Sequence, residues 1–488
     1  MISQIDPVSP VPHTDGNVKR PYKIDIRVGG FHNHVGFVAG TTGRRFFGSS
    51  AMTYTTVTSA VVLVFVVTSS LRAAGQTPDF SPEPQEQQLP RAMHSQMAEL
   101  PRIAVGNRDA ELIGNDNRVL QAAVDYVAGL GGGVVEIDEG EYLMRDSLHL
   151  RSNVTVRGVK GKTILRKAAG VVSALALDGD FGEEQITVRV PNGFAVGCGV
   201  AVWDKNAGGF HTTVARIIGR TGNTFAIDKP LMADCMVAND AQAATVFPVV
   251  SVYDAEGVRI EDLAIDGNKQ ENVPLNGCRG AGIFLYRAFG TVVSGCLVRN
   301  YNGDGISFQQ SNDVTVVDCI SEENAALGLH PGSGSQRPTI RRCIARRNGT
   351  DGLFLCWRVR HGLFEDNLLE ENGQFGISIG HKDSDNLFRR NTCRLNEQNG
   401  LFFRNESLGM APHRNRFEDN TIENNGGPEI RIRGEVNDLA FVNNTIHDTR
   451  EEPSVGILVE EKVGPAHLED NTIQTKQQIE DKRTSDHR

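Results

Sequence analysis

The chain carries a repeat of alternating apolar and polar positions. Five short runs each begin with glycine, at Gly305, Gly328, Gly352, Gly376 and Gly400, and read GISF, GLHP, GLFL, GISI and GLFF. The first and third positions after that glycine are apolar almost throughout: Ile306 and Phe308, Leu353 and Leu355, Ile377 and Ile379, Leu401 and Phe403. Such alternation predicts strands with those side chains turned inward. Asparagine precedes the runs at Asn300, Asn324, Asn348, Asn372 and Asn396, every 24 residues. A second series comprises Cys296, Cys319, Cys343, Asn367 and Asn391, then at looser spacing Asn420, Asn444 and Asn471. A unit of 24 residues holds two or three short strands with their turns. The pattern therefore predicts a solenoid whose coils stack at about 4.8 Å, so that equivalent residues form ladders. Asparagine suits a ladder because it tolerates left-handed turns and its amide both donates and accepts along the stack. The three cysteines are expected as small buried fillers, not as a zinc site, whose ligand spacing they lack.

Charge supports the same register. Glu322-Glu323, Arg346-Arg347, Glu370-Glu371 and Arg394 alternate in sign from coil to coil, as do Asp318, Arg342, Asp366 and Arg390. Stacking would set opposite charges side by side on a sheet face. The arginines of residues 337–360 are thus read mainly as ladder partners and not as a polyanion patch.

The flanks differ. Residues 1–75 hold an apolar run, Ala60 to Val67, followed by Ala73-Ala74-Gly75 and preceded by Arg44-Arg45-Phe46-Phe47. The run is too short to span a bilayer and predicts an export signal; membrane contact is expected only through it, if it stays uncleaved. Residues 76–101 read as a Pro/Gln-rich linker, 102–475 as the solenoid, and 476–488 as a frayed polar tail. The stretch 180–250 breaks the period and predicts a β-rich insertion overhanging one face. Aromatics make up 6% of the chain, while glycine occurs 52 times, which favours tight turns between short strands. The net charge of −10 argues against nucleic acid as a partner. Eight cysteines in 488 residues are too few for a disulfide scaffold.

Three stretches carry a family resemblance: DNRVLQAAVDYVAGLGGGVVEIDEGEYLMRDSLHLRSNVTVRGV (116–159), VRIEDLAIDGN (258–268), and the 24-residue array. Over residues 105–475 the chain resembles right-handed parallel β-helix proteins of the pectate-lyase-like superfamily. The resemblance implies an all-β, single-stranded right-handed parallel β-helix, opened by an amphipathic capping helix. It does not fix an activity, because this fold hosts lyases, hydrolases, epimerases and non-catalytic adhesins.

Outward positions of the runs and the loops just beyond them form one stripe. It comprises Tyr286, Arg287, Gln309, Gln310, His330, Phe354, Trp357, Arg358, Phe402, Arg404, His381, Lys382, Asp383 and Glu406. Aromatic faces suit sugar rings, and Arg, Lys and His suit carboxylate or sulfate groups. An exported, monomeric enzyme acting on an anionic polysaccharide is the expectation. Eliminative cleavage needs a base for the C5 proton and a cation for the adjacent carboxylate. Lys382 or His381 is the expected base, Arg358 or Arg404 the cation, with His330 as an alternative base or acid. Calcium is the one cofactor considered, on Asp383 and Asp385. A polygalacturonase-like hydrolase is the alternative, using paired carboxyls such as Asp304 and Asp351 two coils apart, or Asp383 and Glu406. Against that family's pattern, FGISIGHK (375–382) has Phe375 where a histidine stands, and LHPG reverses the epimerase order and lacks its acid. A glycan-binding surface protein without catalysis is the third reading.

Overall fold

A computed structural model describes residues 99–450 and 455–483. The signal-like segment and most of the linker lie outside the described residues. Each coil gives one strand to each of three long parallel sheets, of thirteen, eleven and eleven strands. In the central coils the first sheet holds Thr315–Val317, Thr339–Arg341, Leu363–Glu365 and Leu387–Arg389. The second holds Ile320–Glu322, Ile344–Arg346, Leu368–Glu370 and Thr392–Arg394. The third, which bears the site, holds Asp304–Gln309, Leu329–Gly332, Leu353–Phe354, Ile377–Ile379 and Leu401–Phe403. Inside, Phe364, Phe388, Phe417 and Phe441 stack with centroids 4.7, 4.8 and 4.8 Å apart, the spacing of the strands themselves.

The helix Asn117–Gly129 closes one end, with Asp116 accepting at its N-terminus and Leu120, Ala123, Val124 and Val127 buried in the solenoid core. Its Gln121 side chain meets both backbone groups of His149 at 3.0 and 2.9 Å, satisfying the edge strand of the third sheet. The insertion is a six-stranded antiparallel sheet between Val172 and Ala244, with its own core around Phe194 and Phe225.

Two asparagine ladders run through the turns. Asn324, Asn348, Asn372, Asn396 and Asn425 each pass an amide bond to the next at 2.8–3.0 Å. Asn367, Asn391, Asn420, Asn444 and Asn471 do the same, starting from the Cys343 amide. The glycine of each run is explained by this ladder: a Cβ on Gly352 would stand 2.8 Å from the Asn372 amide and 2.9 Å from the Gly376 carbonyl. Charges alternate as the sequence implies, with Arg346 on Glu322 at 2.8 Å, Arg394 on Glu370 at 2.8 Å and Arg390 on Asp366 at 2.7 Å. Cys296, Cys319 and Cys343 are buried fillers whose thiols reach backbone carbonyls.

Three sequence expectations need correction. Asn300 does not begin the ladder: Leu297 pairs with Ile320, a step of 23 residues, so Asn300 aligns with Glu323 and Tyr301 with Asn324. The ladder asparagines are not the left-handed residues either; the residue before each one is, as at Glu323, Arg347 and Glu371 with φ of 55°, 52° and 55°. The segment expected to fray supplies the last strand of the third sheet, Gln477–Asp481, because backbone pairing to Val455–Val459 needs no apolar side chains.

The first ladder ends on a buried carboxylate. Glu429 accepts from the backbone N–H of Asn425 at 3.0 Å and from its Nδ2 at 2.6 Å. Burial pushes Glu429 up to about 7 from an ordinary value of 4.5. The native state therefore keeps a proton that the unfolded chain has released, and stability falls as pH rises between those two values, by about 3 kcal/mol. Glu429→Gln, which mimics the protonated acid, should raise the melting temperature at pH 8 and leave it nearly unchanged below pH 4; equal effects at both pH values would contradict this.

Candidate functional site

Outward positions on a solvated sheet would be exposed, yet Ser307, Gln309, His330 and Ser378 are buried. Arg404 covers Ser378, and over the neighbouring coils stand the insertion and the loop around residues 274–278. Between them and the third sheet lies a cavity of about 870 Å³. Trp203 and Phe210 of the insertion line it together with Asp304, His330, Asp351, Phe354, Trp357 and His381. Gly277 sits so close that any side chain there would run into the Asp304 carboxylate.

Asp304 opens its strand and His330 lies one coil on, because Ser307 pairs with His330. The imidazole Nδ1 stands 2.6 Å from Asp304 Oδ2, and Asp304 Oδ1 accepts from the Leu327 N–H at 3.1 Å. Burial opposes charge on His330 more than any single partner favours it, but Asp304 and Cys356 together outweigh it, and the imidazole is pushed up to about 9. The Phe354 ring meets it edge-on, centroids 5.4 Å apart. Asp351 occupies the place of Asp304 two coils further along, about 10 Å away between backbones. Burial pushes its carboxyl up to about 7, and its Oδ1 has no hydrogen-bond partner.

The expected stripe divides. His330, Phe354, Trp357 and His381 come together in the cavity. His381 stacks on Trp357 with centroids 5.1 Å apart, and its Nε2 is 3.0 Å from Glu406. Arg404 and Asp383 lie behind the wall. Arg404 sits over the Phe354 ring at 4.3 Å, donates to Ser378 Oγ at 2.9 Å and pairs with Asp383 at 3.2 Å. Asp383 also accepts from the Val359 and Gly380 amides, and burial pushes it up to about 7. Asp385 is taken up by Arg414 at 2.6 Å, so the two acids weighed for calcium are each engaged by an arginine. Gln309 is buried beneath, donating to Ser307 Oγ at 2.9 Å. Arg358 lies beside the Trp357 ring at 5.8 Å, and neither it nor Lys382 lines the cavity. Phe402 stacks on Phe375 at 4.0 Å. Tyr286 lines a separate cavity of about 280 Å³ with Tyr253 and Lys229; Arg287 pairs with Asp254, and Gln310 accepts from the Tyr286 hydroxyl.

The sequence reading missed Trp203, Phe210 and Cys278, and it gave Asp304 and Asp351 second place. A signal for the two acids was present: each stands immediately before the glycine of its run.

The A-module of the Azotobacter vinelandii mannuronan C-5 epimerase AlgE4 superposes with a TM-score of 0.50 at 15% identity, over 77% of this chain and 97% of that module. The polygalacturonase of Erwinia carotovora ssp. carotovora gives 0.51 at 12%, over 79% and 97%. The Dettilon tailspike protein gives 0.52 at 12%, over 76% and 62%. The chain therefore has the right-handed parallel β-helix fold of these structures. A family model described as periplasmic copper-binding protein (NosD) matches residues 261–457. Comparison with curated proteins gives no match.

Proposed function

We propose that the cavity binds a polysaccharide and hydrolyses a glycosidic bond. One observation carries this reading: two carboxyl groups at matching places two coils apart share one aromatic-walled cavity but have unlike surroundings. Asp351, pushed up to about 7 and short of a partner, is suited to donate a proton to the leaving oxygen. Asp304, fixed by His330 and the Leu327 amide, is placed to orient and deprotonate water. Their coil separation of about 10 Å suits an inverting hydrolase, whose carboxyls stand about 6.5–9.5 Å apart, better than a retaining one at about 5 Å. Trp203, Phe210, Phe354 and Trp357 supply faces for sugar rings.

Elimination fits less well. Among the described residues no lysine or arginine lines the cavity, and the His330 imidazolium on its wall is already held by Asp304. An anionic sugar would be met only by His330 and His381. The likeness to a polygalacturonase and to a mannuronan C-5 epimerase supports a polysaccharide as substrate, and the match to a periplasmic family supports export.

The test is a panel of neutral, uronic-acid and sulfated glycans incubated with the full chain. New reducing ends of inverted anomeric configuration, without ultraviolet absorbance, are expected. An unsaturated, absorbing product would mean elimination, and no cleavage of any glycan with retained binding would mean a binder.

A second reading, metal handling, is favoured by the copper-binding family model together with a thiol and imidazole cluster inside its span: Cys278, His330 and Cys356.

A further inference from the structure

We propose that Cys278, His330 and Cys356 form a binding site for one thiophilic d10 cation, copper(I) or zinc(II), at the edge of the cavity. The proposal rests on the metal-handling reading and shares Asp304 and His330 with the polysaccharide one. It says which residues would hold the ion and how the fold prepares them.

The three side chains come from three places in the chain and meet through coil stacking. Cys278 lies in the loop before the strand Ala281–Phe289, His330 in the strand Leu329–Gly332, and Cys356 just after Leu353–Phe354, where it bridges to Gly332. One ligand atom from each lies within 4.8 Å of the other two, and all three residues are buried. A closed site with metal–sulfur bonds of about 2.3 Å and metal–nitrogen bonds of about 2.0 Å needs these atoms only slightly closer. No disulfide joins the two cysteines.

The surroundings are those of a ligand set. A histidine that binds metal through one nitrogen is oriented by a carboxylate on the other. His330 Nδ1 is held by Asp304 at 2.6 Å, which leaves Nε2, 3.5 Å from the Gln309 amide nitrogen, as the ligand nitrogen. Asp304 is itself anchored by the Leu327 amide. His381 stands near the Cys356 thiol but outside the three-residue cluster, with Nδ1 buried and without a hydrogen-bond partner, Nε2 fixed by Glu406 and its ring by Trp357. Two thiols and an imidazole select soft or borderline ions, and hard calcium or magnesium is disfavoured.

The experiment uses the full chain, reduced and free of oxygen. Copper(I) is titrated against bathocuproine disulfonate, and zinc(II) against a chromophoric chelator. One equivalent of one ion should bind. Affinity should drop at least a hundredfold in Cys278→Ala and Cys356→Ser, and about 10–100-fold in Asp304→Asn, which removes only the orienting carboxylate. Because a cysteine variant could misfold, X-ray absorption on the loaded wild-type chain provides a second readout, with two sulfur neighbours at about 2.2–2.3 Å expected. Binding that survives both cysteine changes, or a shell without sulfur, would overturn this site while leaving metal handling by other residues. Absence of any stoichiometric binding by the reduced chain would overturn both.

Discussion

Asp351→Asn is expected to lower kcat for polysaccharide cleavage between about a hundredfold and ten-thousandfold, the range for losing a general acid, with KM little changed. Asparagine keeps the volume of the side chain and removes only the transferable proton. The pH profile supplies the sign. Burial holds the Asp351 carboxyl up at about 7 against an ordinary 3.8, so the protonated, active form is lost as pH rises through about 7, and kcat should fall on that limb. The same shift makes a prediction about stability that a structural defect would not mimic. The unfolded chain releases this proton near the ordinary value, so native Asp351 costs stability progressively between about 4 and 7. Asp351→Asn should therefore be at least as stable as the native protein at pH 8 while being inactive. A variant that loses activity only because it unfolds, or keeps full activity, would remove Asp351 from the reaction.

What the sequence could and could not disclose follows from how each feature is built. The ladders were legible because a period of 24 residues is the geometry of the coil, and the identities of Asn372, Glu370 or Cys343 depend on what stands one coil away. Where one coil contracted to 23 residues, counting misplaced Asn300, since nothing local marks the missing residue. The cavity was only half legible. His330 and Phe354 share an outward register and were found by alternation, and Trp357 and His381 by their place in the loops just beyond the runs. Trp203 and Phe210 come from an insertion with no period to extrapolate, and Cys278 from a loop that precedes its strand. Arg404 shows a different limit. Alternation correctly turns it outward, but the neighbouring Phe354 ring and Asp383 carboxylate draw it into a buried stack, and only packing decides that.

The asparagine ladder should be the most sensitive part of the scaffold, and Asn372→Ala tests it. Asn372 Oδ1 accepts from the Asn348 backbone N–H at 3.2 Å and from Asn348 Nδ2 at 3.0 Å. Its own Nδ2 donates to the Ala345 carbonyl at 3.0 Å and to Asn396 Oδ1 at 2.9 Å. The site is fully buried, so water cannot replace what alanine removes. Four polar groups on the two flanking coils would be left short of a partner, each costing about 1–3 kcal/mol. Some relief comes from the bond Asn348 Nδ2 also makes to the Ser321 carbonyl at 3.1 Å, and a loss of about 3–5 kcal/mol is expected. Asn471, at the half-exposed end of the second ladder, provides the contrast. It accepts from both Asn444 donors, but water can reach them when it is truncated, so Asn471→Ala should cost about 1 kcal/mol. Urea unfolding of the two variants measures the difference. Equal losses would mean that the ladder adds little beyond the backbone pairing of the three sheets, and that the strand bonds alone set the coil register.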